Sequence, residues 1–302
     1  MSGRAPRLPT WRYGKRLLWR GYDEWGIVEV VEGFLGRGLH FGTSALQGRI
    51  NREKPWLPVA EYAATMAAAA AFPAPQKRRS DHKAELPKQP QVCILGLGTG
   101  ALAWTYHYLM PHAQITAIEL RPAVVEVARS LFNLDKLSDL KLMVGDALAC
   151  IKKLPTNSQT IIAIDLFTSI GMADCLLDRV FWREVGRVIH PTGVVCINTW
   201  ASRPELFLQV HDCVEERICP AGNLYAIDHR HFSNLILFAT PRLVDIEDIC
   251  RRGQFIDDRL ALPQFRSKNR RRRWLRESEY AGLSGESISD RLGRLASPLI
   301  DV

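Results

Sequence analysis

The stretch Ile94-Leu95-Gly96-Leu97-Gly98-Thr99-Gly100 decides the fold of this chain, because its glycines directly follow an apolar run and precede a helical pattern. Glycines at such a turn let the backbone and a ligand approach closely at the helix N-terminus. Glu119 ends the next apolar run. A carboxylate there can accept hydrogen bonds from both ribose hydroxyls, so the two features together predict a nucleoside site. For the glycines alone, a tight strand–helix turn is the alternative.

Apolar runs alternate with helical patterns beyond this stretch. The alternation predicts an α/β fold, a doubly wound parallel sheet with helices on both faces. The predicted strands are residues 92–95, 115–118, 140–144, 161–164, 194–197 and 235–238. The predicted helices between them include residues 101–110, 122–134, 177–189 and 204–218.

Two aspartates follow further strands of the predicted sheet. Asp146 comes after the third strand and Asp165 ends the fourth. In an open parallel sheet, ligands bind at the carboxyl ends of the strands, near the point where strand order reverses. Each aspartate alone is as consistent with a helix N-cap. Because four successive strands bring the glycines, Glu119 and both aspartates to one edge, we expect them to form one site.

The chain divides into four regions. Residues 1–72 are expected to form a small β-hairpin domain followed by an alanine-rich helix at 62–72. A charged, proline-bearing linker follows at 73–90. Residues 91–264 form the predicted nucleoside-binding catalytic domain, and residues 265–302 a basic, flexible tail.

Composition excludes several classes of protein. The chain has 302 residues, a formal net charge of +8 and seven cysteines. It lacks a run of 18 apolar residues, which predicts no membrane span. An odd cysteine number without a C-x-x-C pair favours reduced thiols in the cytoplasm and no metal site. The basic excess lies at the chain ends. No nucleic-acid-binding motif accompanies the run Arg270–Arg273, so a solvated tail is favoured over nucleic-acid contact.

The pattern over residues 91–200 resembles the S-adenosylmethionine-dependent methyltransferase superfamily, and within it the spermidine synthase (polyamine aminopropyltransferase) family. Segments 25–31 and 39–42, then Gln47-Gly48 before a helix containing Glu61-Tyr62, are similar to that family's small β-domain. Residues 231–238 resemble its final strand. The resemblance covers residues 22–242 apart from the linker. It implies a Rossmann-like methyltransferase fold, a homodimer and chemistry on an adenosyl sulfonium.

The resemblance implies a role for each candidate residue. Asp165 stands where the family has the base that takes a proton from the attacking amine, and a protonated amine is not a nucleophile. Thr168 and Ser169 would belong to a lid over the acceptor. The other candidates would bind the co-substrate, decarboxylated S-adenosylmethionine or S-adenosylmethionine itself: Gln47 at the sulfonium, Gly96, Gly98, Thr99 and Gly100 at the methionine-derived part, Glu119 at the ribose, and Asp146 with Ala147 at the adenine.

Two positions depart from the family pattern. Thr99 replaces an aspartate of the family's glycine loop, and Thr168 replaces a second aspartate three residues after the base. Both family carboxylates attend amine-bearing ends of the substrates, so their loss predicts an acceptor less cationic than putrescine. It also makes unmodified S-adenosylmethionine a more acceptable donor.

Three hypotheses about function follow. Aminopropyl-type transfer to a small amine-type acceptor, in polyamine-type metabolism, is placed first. Methyl transfer from S-adenosylmethionine on the same fold is the second. The third is a non-enzymatic homologue that binds a nucleoside or acts through partners. The retained glycines, Glu119, Asp146 and Asp165 argue against the third.

Overall fold

The computed structural model describes residues 11–73, 86–200, 203–220, 223–229, 234–260 and 275–276. These residues form an N-terminal antiparallel sheet followed by a mostly parallel sheet with helices on both faces. The predicted α/β class with a doubly wound sheet is therefore confirmed. Residues 74–85 of the linker predicted at 73–90, the segment 231–233 and the tail apart from 275–276 lie outside the described residues.

The N-terminal sheet is a five-stranded meander, larger than the predicted hairpin. Its strands, in chain order, are β1 (Trp11–Arg12), β2 (Lys15–Asp23), β3 (Gly26–Gly33), β4 (Gly36–His40) and β5 (Leu46–Ile50). The sequence prediction treated β2 as a basic terminus. Its Arg16 and Arg20 pair across the sheet with Glu32 and Glu29 of β3. Opposite charges on facing strands stabilise a sheet, which is why a basic segment forms a strand here.

The second sheet contains eight strands in the order β13-β11-β12-β10-β9-β6-β7-β8. Their bounds are β6 (Gln91–Leu95), β7 (Gln114–Glu119), β8 (Lys141–Val144), β9 (Gln159–Ile164), β10 (Ile189–Trp200), β11 (Leu224–His229), β12 (Asn234–Ala239) and β13 (Leu275–Arg276). The prediction of a parallel sheet is wrong at β12, which runs antiparallel to both β10 and β11, and β13 also pairs antiparallel with β11. Only four residues of sequence separate β11 from β12, and neighbouring strands joined by so few residues are antiparallel, since a parallel crossover needs a longer connection.

Helices cover both faces of the second sheet. They are α1 (Glu61–Ala67), α2 (Ala101–Leu109), α3 (Pro122–Leu131), α4 (Ala147–Ile151), α5 (Arg179–Val188), α6 (Pro204–Arg217) and α7 (Ile246–Leu260). One buried cluster contains the N-terminal sheet, α1, α2 and α3. The other contains α4, α5 and α6. The alanine-rich segment, predicted as one helix, is α1 followed by a 3-10 helix at Ala68–Ala71. Among the helices of the described ranges, none is long and apolar enough to cross a membrane.

Strand order reverses between β6 and β9. From β6 the chain continues to β7 and β8 on one side, and it then returns to β9 and β10 on the other. The loops that follow β6 and β9 therefore diverge at their carboxyl ends and open a crevice. The glycine stretch follows β6 and Asp165 follows β9, so the fold places both at this crevice.

Candidate functional site

The glycine loop and Asp165 are in direct backbone contact. Gly96 has φ +91°, and a Cβ there would lie 2.2 Å from the Asp165 carbonyl oxygen. The Asp165 N–H donates to the Leu95 carbonyl at 2.8 Å. Gly98 and Gly100 also have positive φ. Glycine is therefore needed at position 96 for both conformation and space, and it holds the two loops together.

Glu119 is the buried carboxylate of the crevice. Its Oε2 accepts hydrogen bonds from the backbone N–H of Leu97 at 3.0 Å and of Gly98 at 3.4 Å. Its Oε1 accepts from the Arg121 N–H at 3.0 Å. Burial raises the pKa of Glu119, while these donors lower it. Oε2 already accepts from two N–H groups, whereas Oε1 accepts from one and keeps a lone pair, so the carboxylate can accept a ribose hydroxyl while it holds the glycine loop.

Apolar side chains lie beside Glu119 at the sheet edge. Leu120 is 39% exposed and Val144, the register partner of Glu119 on β8, is 52% exposed. Exposed apolar surface next to the carboxylate that is predicted to bind ribose suits a nucleoside base. Asp146 begins α4 as its N-cap and accepts from the Ala149 N–H at 2.8 Å. The N-cap alternative is thus observed, and adenine contact by Asp146 and the buried Ala147 stays a prediction.

The N-terminal sheet covers the glycine loop. A Cβ at Gly48 of β5 would lie 3.1 Å from the Thr99 methyl group, and Thr99 is only 3% exposed. Gln47, next to Gly48, is half-buried. The contact brings β5 to the loop where the resemblance places the sulfonium end of the co-substrate. The side chain buried under β5 at position 99 is the uncharged Thr99.

Arg121 connects the N-terminal sheet to the loop that follows Glu119. Its guanidinium binds both carboxylate oxygens of Asp23, at 3.0 and 2.7 Å, and lies 4.3 Å from the centre of the Phe41 ring. Bidentate pairs of this kind fix geometry as well as charge. Because Arg121 lies two residues after Glu119, the pair braces the loop that carries the carboxylate.

Asp165 lies half-buried on the other side of the crevice. Its Oδ1 accepts from the side-chain amide of Asn198 at 2.9 Å. Burial raises the pKa of Asp165 from an ordinary 3.8 to about 6, against the lowering effect of the Asn198 hydrogen bond. A carboxylate with this pKa is ionised at neutral pH and is a stronger proton acceptor than an exposed aspartate.

Aromatic side chains surround the acceptor side of Asp165. The Asp165 charge and burial raise the pKa of Tyr62 on α1 well above its usual value, so this phenol is neutral near pH 7. Phe167 follows β9 and Trp200 ends β10, and their rings lie 5.4 Å apart. Each lies two residues beyond the hydrogen-bonded pair of Asp165 and Asn198, so the two rings form a candidate acceptor wall.

The predicted lid is a tight turn at the mouth of this wall. The Thr168 N–H donates to the Gly171 carbonyl at 2.7 Å, and Phe167 pairs with Met172 as an isolated bridge. Thr168 and Ser169 are exposed. The loop thus presents small neutral groups beside Asp165, and closure over an acceptor remains a prediction.

Sequence reasoning missed five residues of this crevice: Tyr62 as a neighbour of Asp165, Asn198, Trp200, Leu120 and Val144. The available signal was an amide that interrupts an apolar strand, as Asn198 does after Val194–Val195–Cys196–Ile197. Leu120 and Val144 had a second signal, since each lies at a predicted strand end beside a candidate carboxylate.

Known proteins show the same organisation. A methyltransferase-domain family model matches residues 94–197. The polyamine aminopropyltransferase of Chromobacterium violaceum is 25% identical over 238 residues, which cover 78% of this chain and 85% of the relative. The structure of a probable spermidine synthase from Corynebacterium glutamicum has a TM-score of 0.67 at 16% identity, over 86% of this chain and 91% of that chain.

A methyltransferase also shares the fold. Human methyltransferase-like protein 13, in complex with SAH, has a TM-score of 0.57 at 22% identity, over 68% of this chain and 94% of that chain. The spermidine synthase likeness extends over most of the chain, whereas the family model matches the glycine loop through β10. The chain is therefore similar to polyamine aminopropyltransferases over most of its length, and its residues 94–197 match a methyltransferase-domain model.

Proposed function

We propose that the protein transfers an aminopropyl or related alkyl group from an adenosyl sulfonium donor to a small amine-type acceptor. The observation that carries this proposal is the Asp165 carboxylate, whose pKa is about 6. It lies in backbone contact with a glycine loop that is suited to a nucleoside. A carboxylate with a raised pKa at this place is typical of an enzyme and is not required of a protein that only binds a nucleoside.

The donor side of the crevice fits an adenosyl sulfonium. Glu119 would hold the ribose, Leu120 and Val144 would flank the base together with Asp146 and Ala147, and the backbone of the glycine loop would line the methionine-derived part. Gln47 on β5 would contact the sulfonium end. The donor supplies an electrophilic carbon on a positively charged sulfur, and the protein's task is to place a nucleophile in line with it.

Asp165 would prepare that nucleophile. The amine nitrogen donates its proton to the free Asp165 oxygen, and its lone pair forms the new C–N bond. The C–S bond breaks at the same carbon, its electrons return to sulfur, and a neutral thioether leaves. A carboxylate with a pKa of about 6 stays ionised above that pH, so we expect turnover to rise through pH 6.

The acceptor wall supports an acceptor with one amine and an apolar body. Phe167, Trp200 and Tyr62 offer apolar surface, and Thr168 offers no second carboxylate for a distal ammonium. A buried ammonium without that partner loses a charge-assisted bond worth about 1.5–3 kcal/mol. We therefore propose a small acceptor that is less cationic than putrescine. A homodimer is proposed from the resemblance alone.

Methyl transfer is the second candidate, and one observation favours it. Thr99 is buried under β5 and uncharged, so the loop presents no carboxylate to the ammonium of a decarboxylated donor and none that would repel a methionine carboxylate.

The by-product of turnover distinguishes the two reactions. The protein would be incubated with each donor and a panel of primary amines, and the nucleoside products would be analysed by mass spectrometry. Methylthioadenosine indicates aminopropyl transfer and S-adenosylhomocysteine indicates methyl transfer. Asp165→Asn should abolish either product, and equal turnover by this variant would overturn the proposal.

A further inference from the structure

Two side-chain amides, the buried Asn198 and the half-buried Asn234, form a chain of hydrogen bonds behind Asp165. The Nδ2 of Asn198 donates to Asp165 Oδ1 at 2.9 Å. The Nδ2 of Asn234 donates to Asn198 Oδ1, also at 2.9 Å. Asn198 is 2% exposed, so its amide has little access to water. A buried amide keeps its orientation only through such partners.

The chain follows from the order of three neighbouring strands. Ile164 of β9 pairs with Ile197 of β10, which places Asp165 beside Asn198. Asn234 begins β12 opposite Trp200, two residues from Asn198. A side chain reaches such a diagonal neighbour across an antiparallel pair. Asn234 lies on β12, so this chain of hydrogen bonds depends on the antiparallel strand that the sequence prediction missed.

The direction of the chain matters chemically. A carboxylate only accepts hydrogen bonds, whereas a side-chain amide can present either its oxygen or its NH2 group. If Asn198 turned its oxygen to Asp165, the two acceptors would repel each other. Asn234 occupies the Asn198 oxygen with an NH2 group, so the Asn198 NH2 group is the one that faces Asp165.

We propose that Asn198 and Asn234 are positioning residues that hold one oxygen of Asp165 and turn the other toward the acceptor. Their catalytic consequence rests on the proposed function, but the positioning itself is a property of the protein alone. The chain also stabilises the ionised carboxylate, because a donor bound to a carboxylate favours its charged form.

The other titratable groups that sense the Asp165 charge within the described ranges are Tyr62 on α1 and Cys196 on β10. The Asp165 charge and burial raise the pKa of Tyr62, and burial followed by the Asp165 charge raises that of Cys196. Both groups are therefore neutral near pH 7. Over the pH range in which Asp165 titrates, these two groups carry no charge, and the amides of Asn198 and Asn234 are the polar groups hydrogen-bonded behind the carboxylate.

The test is a pH titration of the Asp165 carboxyl by NMR in protein labelled with 13C at the aspartate γ-carbon. The Asp165→Asn variant assigns the signal by its disappearance. We expect Asn198→Ala to move the midpoint upward by about one pH unit, since it removes one hydrogen bond to a charged group. Asn234→Ala should move it in the same direction by less, because the Asn198 amide can then turn. Asn234→Ser retains a hydrogen-bond donor, so its Asp165 midpoint should lie between those of Asn234→Ala and the wild type.

Thr199→Ala is the matched control. Thr199 is buried on the same strand and donates to the Leu235 carbonyl at 2.7 Å, so the variant also removes a hydrogen bond between β10 and β12. We expect the Asp165 midpoint to stay unchanged in this control. An unchanged midpoint in Asn198→Ala would overturn the role of Asn198. An unchanged midpoint in Asn234→Ala, or a shift in Asn234→Ser as large as that in Asn234→Ala, would overturn the role of Asn234, and a shift in Thr199→Ala equal to that in Asn198→Ala would reduce the chain to general packing. The titration needs neither donor nor acceptor, so its result is independent of the proposed reaction.

Discussion

The two halves of the crevice are built in different ways. The donor half, which comprises the glycine loop, Glu119 and the start of α4, is organised by backbone groups within short segments of chain. The acceptor half, which comprises Asp165, Asn198, Asn234 and the loop 166–173, is organised by side chains from different strands. The donor half keeps the pattern of the resembled family at Gly96, Gly98, Gly100 and Glu119, and departs from it at Thr99. The acceptor half lacks the carboxylate expected at Thr168.

This difference indicates where specificity resides. Under the proposed function, backbone N–H groups and a single buried carboxylate would recognise features that every adenosyl donor shares. Side chains of the acceptor half would decide which nucleophile approaches, and they can change without altering the sheet. A chain can therefore retain donor chemistry while its acceptor differs from that of its relatives.

The largest expected effect is at Gly96, where the halves touch. Gly96→Ala adds a methyl group 2.2 Å from the Asp165 carbonyl oxygen at a positive φ. Left-handed strain and the forced backbone shift together should lower the free energy of unfolding by about 3 kcal/mol or more. Gly98→Ala, with φ +52° and no atom within 4 Å of the new methyl group, should lose only about 1 kcal/mol. Urea unfolding of both variants measures the difference in stability. Equal losses of unfolding free energy in the two variants would contradict a tight backbone contact between Gly96 and Asp165.

Asp165 should cost the protein stability at neutral pH. Its pKa rises from 3.8 to about 6 on folding, so ionisation between these values favours the unfolded chain, and stability falls as pH rises through this window. Asp165→Asn should therefore raise the free energy of unfolding at pH 7.5 by about 1–3 kcal/mol, discounted for partial exposure. The gain should vanish below about pH 4. Thermal unfolding at both pH values checks this, and a variant less stable at pH 7.5 would contradict the desolvation of Asp165.

The smallest expected effect is at Thr168. An aspartate there can still accept the Ile170 N–H that the threonine hydroxyl accepts at 3.3 Å, so the turn should survive. It also supplies a second carboxylate for a distal ammonium. Thr168→Asp should bind putrescine about 10-fold more tightly than the wild type in calorimetric titration with methylthioadenosine present. Thr168→Asn is the uncharged control. If Thr168→Asn improves putrescine binding as much as Thr168→Asp does, the missing carboxylate is not what weakens putrescine binding in the wild type.

The donor half could be predicted because its signals are local. Gly96 and Glu119 stand at the ends of apolar runs, and parallel strands bring their carboxyl ends to one edge whatever lies between them. In the acceptor half Asp165 could be predicted in the same way, but its support could not, because Asn198 meets Asp165 and Asn234 meets Asn198 only through the register of β9, β10 and β12. That register includes an antiparallel strand which the pattern of alternation did not reveal. The strand Lys15–Asp23 was missed for a related reason, since its arginines find their acidic partners on a neighbouring strand.

The account rests most directly on the binding of an adenosyl sulfonium donor at Glu119. The decisive measurement is calorimetric titration of the wild type and Glu119→Gln with S-adenosylmethionine, its decarboxylated form and methylthioadenosine. We predict that the wild type binds at least one of them and that Glu119→Gln binds about 100-fold more weakly, because the ribose hydroxyls then meet a neutral amide. Glu126→Gln, an exposed change on α3, should bind as the wild type does. If none of the three nucleosides binds the wild type, or if Glu119→Gln binds equally well, the central claim is wrong.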